Sequence, residues 1–486
     1  MYSFFPLQFE MLFLFCMTFG WEALPQLAGL GMTLILLGAM TLFFKRRFST
    51  RYLAFVPALF FCVPTFFDIS TIAYIDAAVG GFTFLCFYCW ERWAQTKQEA
   101  WFWLMCLFAA SAWGVKLTAF IVLPLVVLGI ALAGRHRPDP AWVLKKILIF
   151  SGIVLVFILP WWLRNYHYSG NPFAPLFMQV FGGEEKINWD PQRAFLMDRY
   201  VRMFGMGRGW LDFLLLPVNL TFFSKINSLK FDGQIGIVYF MLLPCLIWTW
   251  KNRNTLINSL FITFGVLLVF WFIYFQYIRF LAISFPFFTL LCVYGLEAMT
   301  RPAPDEEHSS ALSGSPDRVS AWQKGFLALV AGGVLFNLSL IAKDWNRKAP
   351  LDFLAGLESR DQYLTRHLRI YPMYKTMNQK LPQDAKVLFV YMRNFGYLAE
   401  REFISDSIYE DHTLKEIMRI DKSVEGMLRQ FKIRGITHLM YNNKFVFGKD
   451  SAFLPYETAM LKSFIDTHGK LAVNKNEFYL YSFMLD

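Results

Sequence analysis

Long apolar runs separated by short polar links dominate the chain from Glu22 to Ala342. Each run is roughly 15 to 23 residues long, which as a helix rising 1.5 Å per residue is about enough to cross the ~30 Å hydrocarbon core of a bilayer. The runs lack the alternation of apolar and polar positions that a membrane β-barrel requires. We therefore predict a polytopic α-helical membrane protein with about ten spanning helices, near residues 22–44, 52–68, 73–91, 101–116, 119–133, 147–163, 237–250, 256–276, 280–297 and 325–342.

The polar links differ sharply in positive charge. Five alternate links together hold fifteen Lys and Arg residues: 45–51, 92–97, 135–146, 251–253 and 301–324. The other short links hold about two, so by the positive-inside rule the basic set is cytoplasmic. The turn 68–74, the large loop 164–236 and everything after Lys343 are then predicted to lie on the outer side.

Both ends of the chain differ from the apolar body. Residues 1–21 are predicted to form an outer juxtamembrane segment, with a short amphipathic helix over Phe9–Phe19 lying along the interface. The link 300–324 is rich in Pro and Ser and is predicted to be flexible. Residues 343–486 are polar, with strand-like runs and a helical pattern that predict a small α/β domain outside the membrane. The runs are Lys386–Met392, Ile436–Asn442 and Phe478–Met484, and the helical pattern covers His412–Phe431.

Composition narrows the function classes. Of 486 residues, 56% are hydrophobic and only 17% are charged, which excludes an ordinary soluble domain. The seven cysteines all lie in apolar runs, and we interpret the pair Cys86 and Cys89 as small buried side chains rather than a redox motif. The seven histidines show no paired spacing typical of zinc.

Three cations stand at the outward ends of predicted spans. These are Lys116, Arg164 and Arg279. Cations at one depth can bind a phosphate or pyrophosphate, and Arg offers a bidentate fork. The alternative is that each side chain reaches lipid headgroups or has one carboxylate partner.

Acidic side chains occur on the same predicted face. Asp76 begins a span, where it could orient an acceptor hydroxyl, take its proton or bind a metal. It could equally be an acid that stabilises the positive end of a helix. In the loop 164–236, Asp190, Arg208 and Asp232 are further candidates, each more typical of a structural role.

The tract "PWWLRNYHYSGNPFAPLF" (Pro160–Phe177) is unusually dense in aromatic, amide and turn residues. We predict that Pro160 ends a helix at the interface, that Tyr166 belongs to an aromatic belt, and that the turn leads into the large outer loop. Arg164 and Asn165 would then face a phosphate. Tyr166 and Asn171, with Asp232, are candidates for the acceptor side of the loop.

Five segments resemble a known family in order and spacing: "YIDAAVGGFTFL", "WGVKLTAF", "PWWLRNYHYSGNPFAPLF", "FDGQIGIVYFMLLP" and "YIRFLAISFP". They are similar to bacterial membrane glycosyltransferases of the GT-C class, the group of protein O-mannosyltransferases, the lipid A aminoarabinose transferase and the lipopolysaccharide-core galacturonosyltransferases. The likeness runs from about Tyr2 to Glu297. The most specific element is the pattern PW..RN....GNP..P.

The resemblance implies a reaction. Such enzymes pass a sugar from a polyprenyl-phosphate carrier to a lipid, glycan or protein hydroxyl, without nucleotide sugar, flavin or nicotinamide, and with no nucleic acid partner. A carboxylate takes the acceptor's proton, and cations or a divalent metal ion stabilise the departing phosphate. By resemblance, Lys116, Arg164, Asn165 and Arg279 would bind the donor phosphate, while the identity of any metal is unknown.

One departure from the family concerns the base. The family's catalytic acid follows the first spanning helix, and this chain resembles the family only from the juxtamembrane segment onward, which predicts that a preceding helix and acid are missing. If the chain is complete, Asp76 or Glu10 would be the base; if it is not, the acid is expected upstream. The alternatives are a lipid-linked sugar transporter or flippase, and a catalytically inactive subunit of an envelope assembly.

Overall fold

The computed structural model describes residues 4–135, 139–183, 186, 191–300, 320–393, 395–406, 410–449 and 451–483. Residues 301–319 of the predicted flexible link, and Asp190, lie outside this described part. The chain divides into two compact units, Met1–Asp344 and Trp345–Asp486.

The first unit is helical. Its helices in chain order are α1 (Gln8–Met17), α2 (Leu24–Arg47), α3 (Phe55–Phe61), α4 (Pro64–Thr71), α5 (Asp76–Thr96), α6 (Glu99–Val115), α7 (Val122–Gly134), α8 (Pro140–Ser169), α9 (Met178–Phe181), α10 (Pro191–Arg202), α11 (Trp210–Leu214), α12 (Leu216–Val218), α13 (Val238–Leu242), α14 (Cys245–Lys251), α15 (Thr255–Tyr274), α16 (Phe285–Thr300) and α17 (Ala321–Lys348). Two 3-10 helices, Leu117–Ile121 and Ile278–Ile283, and a π-helical turn, Asn219–Phe223, complete it.

Within the described residues, five helical segments are long and apolar enough to cross a membrane, or up to six if the bent pair α4 and α5 counts as one span. The protein is therefore a multi-pass membrane protein. Several predicted spans are shorter or broken: 52–68 becomes α3 and α4, and 237–250 becomes α13 and α14. Pro64 and Pro244 stand at these breaks, because proline cannot supply the N–H of a continuous helix.

The prediction that Pro160 ends a helix is wrong. Helix α8 continues through Pro160 to Ser169. A membrane helix tolerates the one backbone hydrogen bond that proline removes. The helix ends instead where Gly170 adopts a left-handed backbone with φ of 79°, which glycine reaches without steric cost.

Phenylalanine fills much of the core of this unit. Phe43, Phe44, Phe66, Phe84 and Phe287 are fully buried. Their rings meet edge-on or tilted, as between Phe43 and Phe84 at 5.8 Å. Cys86 and Cys89 are buried in α5 beside this core.

The second unit is an α/β domain. After α18 (Pro350–Leu354), α19 (Arg360–His367) and α20 (Tyr371–Lys380) come β1 (Lys386–Val390), β2 (Glu402–Ser405), α21 (His412–Ile420), α22 (Val424–Arg434), β3 (His438–Asn442), α23 (Asn443–Val446), α24 (Pro455–His468), β4 (Gly469–Lys475) and β5 (Phe478–Phe483), with a 3-10 turn at Gly396–Leu398. The sheet order is β2-β1-β3-β5-β4. Strand β1 is parallel to β2 and β3, whereas β5 is antiparallel to β3 and β4.

The strand-like runs of the sequence correspond to β1, β3 and β5. Strands β2 and β4 were not predicted, because β2 is short and half-exposed and β4 is largely exposed, so neither shows a continuous apolar run. The predicted helix His412–Phe431 is two helices, α21 and α22, separated at Asp421–Ser423.

Candidate functional site

Three breaks in the helices of the first unit carry the charged residues of the site. Asp76 is the first residue of α5, after a bend of 105° from α4. Lys116 has an extended backbone between α6 and the 3-10 helix Leu117–Ile121. Arg279 is the second residue of the 3-10 helix Ile278–Ile283. Breaks of this kind let polar side chains converge inside an otherwise apolar helical body.

Close backbone contact brings two of these breaks together. A Cβ added to Gly80 of α5 would lie 2.4 Å from the carbonyl oxygen of Ala282. Only glycine permits this approach, which sets the start of α5 directly against the 3-10 helix that carries Arg279.

Asp76 and Lys116 form a buried ion pair. The Nζ atom of Lys116 donates to Oδ1 of Asp76 at 2.6 Å, and their side chains are 16% and 7% exposed. The same Nζ lies 3.2 Å from the centre of the Phe280 ring. The structure thus gives Lys116 one carboxylate partner, and Asp76 is engaged by a cation rather than acting only as a first-turn acid.

Arg279 is a cation that lies among three aromatic rings. Its guanidinium lies 5.0 Å from the ring centre of Tyr74, 5.5 Å from that of Tyr277 and 5.2 Å from that of Phe280. Within the described residues its Nε is buried and has no hydrogen-bond partner, and no acidic side chain pairs with it. An arginine held among rings keeps its positive charge and its hydrogen-bond donors for an anion.

Glu10 approaches the ion pair from α1. Its Oε2 atom is buried and has no hydrogen-bond partner in the described part of the chain. Helix α1 has ten residues, about 15 Å of helix, and is too short to cross a bilayer. Burial raises the pKa of the Glu10 carboxyl from 4.5 to about 7, against the opposing effects of a backbone hydrogen bond and of Lys116.

These residues line a common cavity of about 780 Å³. Glu10, Asp76, Lys116 and Arg279 all contribute to its wall. Helix α10 of the large loop adds Tyr200, and the exposed pair Asp198 and Arg202 is joined by a 2.7 Å contact. The other lining residues are Phe5, Pro6, Leu7, Ala73, Tyr74, Ile75, Val115, Leu117, Thr118, Pro175, Leu176, Ala194, Met197, Val201, Ile273, Tyr274, Phe275, Tyr277 and Phe280.

Arg164 and Asn165 are not among the residues that line this cavity. Arg164 stacks on Trp161 at 5.1 Å. Asn165 is buried, and its Nδ2 atom donates to the carbonyl oxygens of Phe4, Pro172 and Ala174 at 2.8 to 3.3 Å. The amide therefore links the chain at Phe4 to the chain at Pro172 and Ala174. The residues that follow, Phe5 and Pro175, form part of the cavity wall.

Asn171 has a similar role in the loop. It is fully buried, its Nδ2 donates to the carbonyl oxygen of Leu176 at 2.9 Å, and its Oδ1 accepts from the backbone N–H of Phe173. Local side-chain bonds of this kind fix turns. The conspicuous amides of the tract Pro160–Phe177 thus shape the position of Leu176, which lines the cavity.

The remaining predicted loop residues lie apart from the cavity wall. Tyr166 is exposed on α8, and Asp232 accepts from the backbone N–H of Asn227 in a turn. Arg208 donates to the carbonyl oxygens of Ile273 and Arg202, which fastens the loop beside α15.

Sequence reasoning missed the aromatic surroundings of Arg279. Tyr277 and Phe280 flank Arg279 in "YIRF", and this spacing around a basic residue was the available signal. Tyr74, two residues before Asp76, could be joined to the site only through the fold.

The donor atoms of the described residues do not form an evident metal site. No group of three or more His, Cys, Asp or Glu side chains with a geometry suited to a metal occurs among the described residues. Of the two carboxylates at the centre of the cavity, Asp76 is already paired with Lys116, so Glu10 is the one that remains as a ligand for a metal ion.

The chain has the fold of GT-C membrane glycosyltransferases. ArnT from Cupriavidus metallidurans bound to undecaprenyl phosphate is similar with a TM-score of 0.56 at 13% identity, over 95% of this chain and 84% of that chain. Its apo structure gives a TM-score of 0.54 at 13% identity, over 94% and 83%. The Archaeoglobus fulgidus oligosaccharyltransferase tethered with an acceptor peptide gives 0.54 at 12% identity, over 95% of this chain and 63% of that chain.

By sequence, the chain belongs to the family described as a domain of unknown function (DUF8201), whose model matches residues 9–287. The match includes Glu10, Asp76, Lys116 and Arg279. No curated protein gives a significant match.

Proposed function

We propose that the protein transfers a sugar from a polyprenyl-phosphate donor to an acceptor hydroxyl in this cavity. The observation that carries the proposal is Arg279, which has no acidic partner among the described residues, beside a neutralised Asp76–Lys116 pair. The buried Oε2 atom of Glu10, also without a hydrogen-bond partner in that part of the chain, lies in the same cavity. A phosphodiester carries one negative charge, which Arg279 can match.

Two of the similar structures contain a lipid phosphate or an acceptor peptide. The ArnT structure with undecaprenyl phosphate and the oligosaccharyltransferase structure with an acceptor peptide show that proteins of this fold bind a lipid phosphate or an acceptor. At 12 to 13% identity they support the fold alone, so the donor and acceptor of this chain rest on its own cavity residues. A lipid, a glycan and a protein hydroxyl are all compatible acceptors.

The proposed chemistry assigns one task to each charged residue. Glu10 takes the proton of the acceptor hydroxyl as its oxygen attacks the anomeric carbon. The bond from that carbon to the phosphate oxygen breaks, and the phosphate keeps the electron pair. Arg279 and Lys116 stabilise the negative charge that develops there, and Asp76 holds Lys116 in position.

We further propose that the cavity and the second unit face the outer side of a bacterial inner membrane. The fifteen Lys and Arg residues of the five basic links support this orientation. The cavity residues Asp76, Lys116 and Arg279 all lie at helix ends opposite to those links in the predicted topology.

Replacement of Arg279 tests the function. In membranes supplied with a radiolabelled sugar on undecaprenyl phosphate and an envelope extract as acceptor, Arg279→Ala is expected to reduce transfer about 100- to 1,000-fold, as losing a charge-stabilising donor does in other enzymes. Arg253→Ala is the matched control, because Arg253 also stacks on a ring, that of Trp250 at 4.3 Å, outside the cavity.

Two results would contradict the proposal. One is that Arg279→Ala, folded and present at wild-type level, transfers sugar at the wild-type rate. The other is that the wild-type protein moves the labelled lipid across vesicle membranes without transferring its sugar, which would favour a transporter. Arg164→Ala should be measured in parallel. Its transfer rate tests the donor-phosphate role that the sequence resemblance gave to Arg164, which does not line the cavity.

A further inference from the structure

One aromatic ring contacts both cations of the candidate site. The ring centre of Phe280 lies 3.2 Å from Nζ of Lys116 and 5.2 Å from the guanidinium carbon of Arg279. No other ring contacts both cations among the described residues. Phe280 is half-buried in the wall of the cavity.

Like charges held this close need compensation. Lys116 and Arg279 repel each other, and Asp76 neutralises only Lys116. The face of a phenyl ring carries partial negative charge and attracts a cation without neutralising it. A ring shared by two cations therefore allows both to remain in the cavity while leaving the net positive charge that an anion requires.

The ring itself is held by its neighbours. Phe280 packs against Phe275 at 6.0 Å and against Tyr277 at 5.2 Å between ring centres. Since Phe280 follows Arg279 in the same short 3-10 helix, a displacement of the ring would also displace the guanidinium.

We propose that Phe280 is a positioning residue that holds Lys116 and Arg279 together as a single clamp for the donor phosphate. The inference rests on the proposed function for the identity of the phosphate. Phe280 touches the two cations rather than the reacting atoms, so its loss should weaken donor binding much more than it slows the chemical step.

Three variants of the full chain in lipid nanodiscs test the clamp. Phe280→Leu keeps an apolar side chain of similar size but removes the ring. Phe280→Tyr keeps the ring and serves as the conservative rescue. Phe270→Leu is the matched control, because Phe270 is half-buried and contacts the rings of Phe120, Tyr274 and Phe275, but is not in the cavity wall.

The first measurement is the dissociation constant for undecaprenyl phosphate alone. Phe280→Leu is expected to raise it about 5- to 30-fold, from the loss of two cation–π contacts, whereas Phe280→Tyr and Phe270→Leu stay near the wild-type value. The second is the kinetics of transfer: Phe280→Leu should raise KM for the donor by a similar factor and change kcat by less than about 3-fold. If Phe280 had only a packing role, Phe280→Leu would lower the folded fraction and kcat without selectively raising KM.

The outcomes separate this inference from the proposed function. If the wild-type protein binds undecaprenyl phosphate and transfers sugar, but Phe280→Leu binds as tightly as wild type or Phe270→Leu weakens binding equally, the clamp is refuted and the function stands. If the wild-type protein binds the lipid phosphate and Phe280→Leu weakens binding, yet no sugar is transferred, the clamp stands and the proposed function fails. Absence of binding by the wild-type protein would overturn both.

Discussion

At the scale of single residues, the buried carboxyl of Glu10 is suited to gain and lose a proton near neutral pH. Burial raises the pKa of its carboxyl to about 7, and the charges that face it are those of Lys116 and Asp76. Since a general base is most effective when its pKa is close to the working pH, the environment of Glu10 suits the role proposed for it better than that of Asp76, which is bound to Lys116.

This assignment predicts a pH profile. Below pH 7 the Glu10 carboxyl holds a proton and cannot accept one, whereas above pH 7 it is ionised; kcat/KM should therefore rise with pH and level off above about 7. Glu10→Gln should lower transfer about 100- to 10,000-fold and abolish the rise. The measurement is initial transfer rate from pH 5.5 to 8.5.

Glu22→Gln is the control for that profile, since Glu22 is exposed at the surface near α1. It should retain both the rate and the rise. A wild-type profile that is flat between pH 6 and 8, or a Glu10→Gln variant with an unchanged profile, would assign the base to another residue.

At the scale of secondary-structure elements, the site depends on where helices stop. Four charged residues that the sequence analysis proposed for the site line the cavity: Glu10, Asp76, Lys116 and Arg279. The sequence did not predict that the tract Pro160–Phe177 would act through its amides on the backbone, because the partner carbonyl of Phe4 is 161 residues away in sequence. A motif that is distinctive in sequence can thus build the wall of a site through the backbone contacts of its amides, without placing its arginine and amide side chains in the cavity.

The contact between α5 and the 3-10 helix Ile278–Ile283 gives a prediction at this scale. In Gly80→Ala the new Cβ would lie 2.4 Å from the backbone oxygen of Ala282, which cannot move without shifting the 3-10 helix. We expect a loss of about 1 to 3 kcal/mol in the free energy of unfolding, as for other overpacked sites. Because Arg279 would move away from Asp76, KM for the donor should rise as well.

Gly38→Ala in α2 is the matched control, because a Cβ at Gly38 has no atom within 4 Å. Alanine favours a helix over glycine by about 1 kcal/mol, so this variant should be as stable as wild type or more stable. The thermal unfolding in detergent and the KM for the donor are measured for Gly80→Ala, Gly38→Ala and the wild-type protein. Equal stability and equal KM in Gly80→Ala and wild type would show that this close approach does not position Arg279.

At the scale of the whole molecule, the hydrophobic pattern predicted the fold class and the α/β nature of the second unit better than it predicted individual spans. Apolar runs show which segments are buried in lipid or protein, and this is why α2, α8 and α15 were anticipated. They do not show whether a run forms one straight helix, and segments such as 52–68 and 237–250 are broken. The contact of Tyr74 with Arg279 could not be predicted from the sequence, because Tyr74 reaches Arg279 only through the packing of α5 against the 3-10 helix.

The orientation of the molecule in the membrane can be argued from the paths of α16 and α17. Helix α16 begins beside the 3-10 helix that carries Arg279, and Gln323 near the start of α17 donates to the carbonyl oxygen of Met299 near the end of α16. Helix α17 therefore returns toward the side of the cavity, where Asn337 holds the backbone at Ile235 and Ile237. If the basic links are cytoplasmic, the end of α17 lies outside together with the cavity.

Fusions to alkaline phosphatase, which is active only outside the cytoplasm, test this orientation. A fusion at the C-terminus of the full chain should be active, and a fusion directly after Lys251, in a basic link, should be inactive. Fusions of green fluorescent protein at the same two points should give the reverse pattern, which controls for expression. An active phosphatase after Lys251 with an inactive one at the C-terminus would place the cavity in the cytoplasm, where a donor carried on the outer leaflet could not reach Arg279, and the proposed reaction would have to be abandoned.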